Sequence, residues 1–226
     1  MGRWLLILLV IGIGCAGRQT PESSQEIVVS PIPVPQPVYP REQLSTDLQL
    51  LWGRVEDAVA VRPPEPPKGD SEDDIEEWAE GPFRDWLGRR REATDRALAA
   101  TYGLRTHPLF ERGIGTALFG YMYEDLASSI RGAPVPQNIA EDPGLLQIYT
   151  TSLTEHLTPF AELSAKAYYA CLGLFLKLED PQWGEWALYC DERGAEVVDT
   201  FELEPPEPPA PDAEPPTDLT QLLTPP

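Results

Sequence analysis

Histidine is nearly absent from this 226-residue chain, which holds only His107 and His156, and cysteine is limited to Cys15, Cys171 and Cys190. Zinc and copper sites are built mainly from imidazole and thiolate, so neither a metal nor another cofactor is expected. The cysteines show no CxxC spacing, which argues against a catalytic redox pair. Basic residues are scarce as well: 17 Lys and Arg stand against 37 Asp and Glu, a formal charge of −20. That balance repels phosphate backbones and anionic lipid headgroups, which excludes nucleic acid as a partner and attachment through a basic patch. Alternating β-branched segments are missing outside the proline-rich stretches, as are a P-loop, a GxGxxG turn and HExxH. Long apolar runs are missing too. The one near-continuous run, Trp4–Ile13, would rise only ~15 Å as a helix against a hydrocarbon core of ~30 Å.

Proline, by contrast, is abundant, with 26 residues gathered mainly in blocks at 21–40, 63–67 and 205–226. Proline fixes φ and removes a donor, so aperiodic proline reads as extended linker. This divides the chain into a leader at 1–14, a proline-rich tether at 15–43, a first helix at 44–61, a Pro/acidic linker at 62–73, a helical domain at 74–200 and a Pro/Glu tail at 201–226. The tethers are expected to be disordered.

Within the domain the apolar period is helical. Ser45 caps a helix whose stripe is Leu48, Leu51, Trp52, Val55 and Val59, ending before Arg62-Pro-Pro. Acid at Asp70–Asp74 suits the start of a short helix carrying Ile75 and Trp78. Pro82 is expected in the first turn of the next helix and Gly103 at its stop. Pro108 opens a longer one, in which Gly113, Gly115 and Gly120 each weaken the helix unless close packing compensates. Asp142-Pro143 starts another, with a kink or split expected at Pro159, and Asp180-Pro181 starts the last. The fold class is all-α.

The short apolar run also gives an address. A single basic residue, Arg3, precedes it, and Gly12-Ile13-Gly14-Cys15 closes it. These residues resemble the lipobox of bacterial lipoproteins, with Gly12 where leucine is usual. The resemblance implies cleavage before Cys15, acylation of that cysteine and tethering to the cell envelope by a lipid anchor. The alternatives are an ordinary signal peptide or a short uncleaved anchor. Ala16 in place of aspartate favours the outer membrane.

Setting Cys15 aside leaves an even pair. Cys171 and Cys190 lie nine and ten residues from the helix break at Leu178–Pro181, so an antiparallel hairpin puts them at one height. A disulfide suits an exported protein; two free buried thiols are the alternative. Trp52, Trp86 and Trp186 fall on apolar stripes and read as core. Trp78 and Trp183 lie near helix starts, where partial exposure would make them a candidate partner surface. Ser152 and His156 stand at i,i+4, but no orienting acid or strand–turn–helix elbow accompanies them, so no catalytic residue is assigned.

Residues 98–198 carry Ala99-Ala-Thr-Tyr102, His107-Pro-Leu-Phe110, Leu118-Phe-Gly-Tyr-Met-Tyr-Glu-Asp-Leu-Ala127, Gly132-Ala-Pro-Val-Pro136 and Glu185-Trp186 followed by Cys190. This stretch resembles the C-terminal part of tetratricopeptide-repeat envelope proteins of gliding and predatory bacteria. The resemblance implies a small helical-hairpin (TPR-like) bundle that binds protein and catalyses nothing. No tandem repeat of about 34 residues lies upstream, so one module rather than an array is expected. The expected role is a lipid-anchored adaptor with a protein partner in the envelope. A structural spacer lipoprotein is the alternative, and an envelope hydrolase a minor one.

Overall fold

Why the chain turns helical where it does is visible at its caps. The computed structural model describes residues 32–69 and 71–206; the leader, Cys15 and the end of the tail lie outside the described residues. Helix α1 spans Thr46–Ala60, with the Ser45 hydroxyl accepting the Leu48 amide and Val61 closing it. Ser71 caps α2, Glu72–Trp78, whose first turn is all acid. A π-helical turn, Ala79–Phe83, runs directly into α3, Arg84–Ala100, and a 3₁₀ turn follows over Thr101–Thr106. Helix α4 spans Leu109–Arg131 and the single turn α5 spans Gln137–Ala140. Asp142 accepts the amides of Gly144 and Leu145 to start α6, Pro143–Leu176. A 3₁₀ turn at Pro181–Trp183 leads into α7, Gly184–Thr200. Among the described residues there is no strand, and the fold is an all-α bundle.

Three sequence expectations need correction. Pro82 does not open a new helix. It sits inside a continuous helical run, where the wider π turn relieves the clash between its ring and the preceding turn. Gly103 is not a left-handed stop, since no glycine among the described residues has positive φ; it lies in the 3₁₀ turn, where a side chain would strike Asp47. Pro159 neither splits nor ends its helix, because α6 runs through it without interruption. Leu157 and Ala161 are buried in the core on either side of that point, and their packing outweighs one lost backbone bond.

The bundle is ordered by its centre. Helix α4 packs most extensively on α6 and also meets α1 and α7, while α3 packs mainly on α1 and reaches α4 through Arg90. Residues all round α4 are therefore buried, from Ile114 and Leu118 to Phe119 and Tyr123, although its sequence suggested one apolar face. The three glycines explain how it fits. Side chains at Gly113, Gly115 and Gly120 would meet Phe175, Leu104 and Tyr168 respectively, so close packing offsets the low helix propensity. Gly113 opposite Phe175 and Gly120 opposite Tyr168 show that α4 and α6 are antiparallel. In that register Arg131 is level with Leu157. Pro143–His156, at ~1.5 Å per residue, thus projects ~20 Å past α4.

The proline-rich segment before α1 corrects one domain boundary as well. Ile32, Val34 and Leu44 are buried in the core, so the folded body begins by Ile32 rather than at residue 44. Alternate residues of Ile32-Pro-Val34-Pro point inward, a period of two that fits an extended strap laid on a surface. The strap is tied down by Arg41, which makes two hydrogen bonds to Glu56 (2.8 and 2.9 Å) and lies 5.1 Å from the Trp52 ring centre.

At the other end α7 stops through a paired backbone motif. Glu202, at φ 52°, takes the left-handed conformation, and the amides of Glu202 and Leu203 bond back to Asp199 and Val198.

Two glycines give opposite predictions. Gly88 is exposed with nothing within 4 Å of a new Cβ, so Gly88→Ala should stabilise by ~0.5–1 kcal/mol. Gly113→Ala would press 2.7 Å against the Phe175 ring, which is stacked between Trp183 and Trp186 and cannot yield. It should cost ~1–3 kcal/mol by overpacking. Urea denaturation of both variants measures the pair.

Candidate functional site

The recurring chemistry of this fold is that of tryptophan against proline-rich backbone. Trp78 donates its indole N–H to the Glu65 carbonyl at 2.8 Å, Trp86 to the Val61 carbonyl at 2.8 Å, and Trp186 to the Gln36 carbonyl at 3.3 Å. Each acceptor lies in or beside a proline-rich stretch, where the backbone has no internal partner. Each donor is buried and would otherwise be unsatisfied.

This arrangement overturns the expected exposure of Trp78 and Trp183. Trp78 is only 8% exposed and Trp183 only 4%. Trp78 stacks on Phe83 at 4.6 Å and covers the linker, which sequence period alone could not reveal because the linker has no helical period. Trp183 is sandwiched by Phe110 (4.9 Å), Phe175 (5.8 Å) and Tyr39 of the strap (6.0 Å). Neither presents an open recognition patch. Trp52, Trp86 and Trp186 are core residues, as the stripes indicate.

Cys171 and Cys190 are joined as a disulfide between α6 and α7, with Cα atoms 6.0 Å apart. Both are fully buried, and Gly194 packs against Tyr168 and Tyr169 one turn further along the same seam.

Polar groups inside the bundle are paired across helices. Arg90 on α3, 1% exposed, reaches Asp125 on α4 at 2.8 Å and the carbonyls of Ala58 and Met122 at 2.5 and 3.1 Å. Burial pulls its guanidinium below the usual arginine range, against the opposing pull of Asp125. Glu124 on α4 accepts the Tyr168 hydroxyl at 2.7 Å and pairs with Arg193 on α7. A cavity of about 240 Å³ opens beside that pair, lined by Ser128, Glu196 and Thr200 among others. His107, just before α4, bridges two carboxylates. Its Nε2 lies 3.0 Å from Asp47 and its Nδ1 2.9 Å from Glu111, while Glu111 also accepts the Ser45 amide. These contacts clamp the starts of α1 and α4 together.

Ser152 and His156 do not form a nucleophile–base pair. The His156 Nδ1 meets the Ser152 backbone carbonyl at 2.7 Å, not its hydroxyl. No group of three His, Cys, Asp or Glu among the described residues could hold a metal ion. The projecting start of α6 holds two open apolar side chains, Leu145 at 46% and Ile148 at 68% exposure.

No family model matches the chain, and no curated protein or solved structure matches it either.

Burial sets the alkaline behaviour. It pushes Tyr168 well above the ordinary phenol range and Tyr123 and Tyr189 up to about 12. Between pH 10 and 12 the folded chain therefore keeps protons that the unfolded chain loses. Stability is fully present below about pH 10 and falls as pH rises through the folded values. Phenolate absorbance should show these three tyrosines titrating only as helical circular dichroism collapses. Full ionisation with the helices intact would contradict this.

Removing the cross-link gives a second test. Replacing both Cys171 and Cys190 with alanine frees the loop they close and should cost about 3 kcal/mol in guanidinium denaturation.

Proposed function

We propose that this chain is a lipid-anchored adaptor of a bacterial envelope, with Cys15 acylated and the helical bundle binding a protein partner. The observation that carries the reading is the leader: a short apolar run behind one basic residue, ending at Gly14-Cys15. Two features agree with it. The remaining cysteines form a single pair in bonding geometry, which suits an oxidising compartment. No helix among the described residues is long and apolar enough to cross a membrane, so attachment would fall to the leader or its lipid. The outer membrane remains the favoured address, on the strength of Ala16.

An adaptor is favoured over a spacer by the start of α6, where Leu145 and Ile148 are held out on a rigid helix beyond α4. A spacer has no need of such a surface. The likeness to tetratricopeptide-repeat envelope proteins points the same way, toward binding rather than catalysis, with no catalytic residue assigned.

Two measurements test the two halves of this reading. Mass spectrometry of the mature N-terminus should find a polypeptide that begins at acylated Cys15; a chain that begins at Met1, or that stays in buffer without detergent, removes the anchor. Crosslinking in native membranes followed by pull-down should recover a partner, and Ile148→Asp should reduce that recovery at least tenfold without changing the melting temperature. Recovery of the monomer alone would favour the spacer.

A further inference from the structure

The linker held by Trp78 and Trp86 has a second copy in the chain. Val61-Arg-Pro-Pro-Glu-Pro-Pro67 recurs as Leu203-Glu-Pro-Pro-Glu-Pro-Pro209, with the last five residues identical and an aliphatic residue at the same offset before them. The first copy shows how such a segment is read. Val61, Pro64 and Pro67 are the half-buried positions, a spacing of three that matches the turn of a polyproline II helix. Trp78, Phe83 and Trp86 line one surface, with ring centres 4.6 and 5.1 Å apart in sequence. Two indole donors reach the Val61 and Glu65 carbonyls, which are four residues apart. Aromatic walls with donors aimed at proline-rich carbonyls are the physical means by which polyproline ligands are recognised.

We propose that the Trp78–Phe83–Trp86 cradle is a polyproline recognition site whose second ligand is the chain's own tail, Leu203–Pro209, in exchange with the resident 61–67. The proposal does not depend on the membrane anchor. Every contact the cradle makes through backbone carbonyls, and every proline it covers, is available in the tail copy.

Two differences explain why the linker copy is resident. It is joined to α2 by a few residues, which gives it a high effective concentration. Its Arg62 also lies 3.4 Å from Asp125, whereas the tail carries Glu204 at that offset and would meet the same carboxylate with like charge. The tail is correspondingly cheap to release. In the structure Leu203–Pro206 lie along α6 beside Thr154, Thr158 and Lys166 over a cavity of about 630 Å³, with Leu203 half-buried against the core and Glu204 and Pro205 exposed. The turn that starts them holds Glu202 in a left-handed conformation that non-glycine residues adopt at a cost.

The test uses the full chain, labelled with ¹⁵N, and a synthetic peptide of residues 201–211. The peptide should shift the Trp78 and Trp86 indole N–H signals saturably while leaving Trp186, which holds Gln36, unmoved. Full chain carrying Pro64→Ala and Pro67→Ala, with its resident ligand weakened, should bind the peptide at least tenfold more tightly. A peptide with Glu204→Arg, which restores the partner of Asp125, should bind severalfold more tightly than the natural one. Absence of any shift, equal shifts from a scrambled peptide, or equal affinity for the two chains would overturn the proposal. If the double variant does not fold, the wild-type titration alone decides, since no shift there is already fatal.

Discussion

Everything in this bundle leans on a complementarity between two groups that are each incomplete. A polyproline segment has carbonyls but few amides and forms no hydrogen bonds with itself. A buried indole has one donor and no acceptor. Set together, each satisfies the other, and a stretch that could not pack as helix or strand becomes part of the core. The chain does this three times, at Trp78, Trp86 and Trp186, and in each case an extended segment is fixed against a helix surface. Without those bonds the strap would be held by apolar contact and by Arg41 alone, and Trp183 would lose the cover that Tyr39 gives it.

The same logic of mutual satisfaction runs through the charged interior. Arg90 has little exposure, yet Asp125 and two carbonyls surround it, and the Ala58 carbonyl lies close to the C-terminal end of α1 where backbone acceptors run out of helical partners. One side chain thus joins α3, α1 and α4. Glu124, Tyr168 and Arg193 join α4, α6 and α7 in the same fashion. A pair like these gains little over an apolar contact of equal size, but breaking it strands a buried charge. Its value is to fix which helix faces which, alongside the close approaches that Gly113, Gly115 and Gly120 allow on α4.

The helices themselves were legible in the residues because their signals are local. Ser45 and Asp142 announce their caps, the acid at Asp73 and Asp74 marks the start of α2, and the Leu48–Val59 stripe appears as the buried face. The pairing of Cys171 with Cys190 followed from equal distance to one turn. What was not legible is whatever depends on a distant partner. Pro159 reads as a breaker until α4 and α7 are in place around the helix, and Trp78 reads as exposed until the linker, which has no period of its own, folds across it. The candidate surface therefore moved from the tryptophans to the start of α6, where Leu145 and Ile148 stand exposed beyond the end of α4.

The docked strap also changes the mechanics of anchoring under the proposed reading. A tether counted from Cys15 to the first helix cap would have close to thirty residues and an extended reach of ~85–90 Å. Since Ile32 is already in the core, only residues 16–31 separate the lipid from the folded body, with a ceiling of ~50 Å at ~3.1 Å per residue. Force on the anchor would then be felt first at Ile32 and Val34, and next at the Trp186–Gln36 bond, before it reached Arg41 and Glu56 on α1. Since the strap covers Trp183 and Trp186 on the α6–α7 hairpin, peeling it would expose aromatic surface beside the disulfide, and the cross-link is what would keep that hairpin together while the strap is strained.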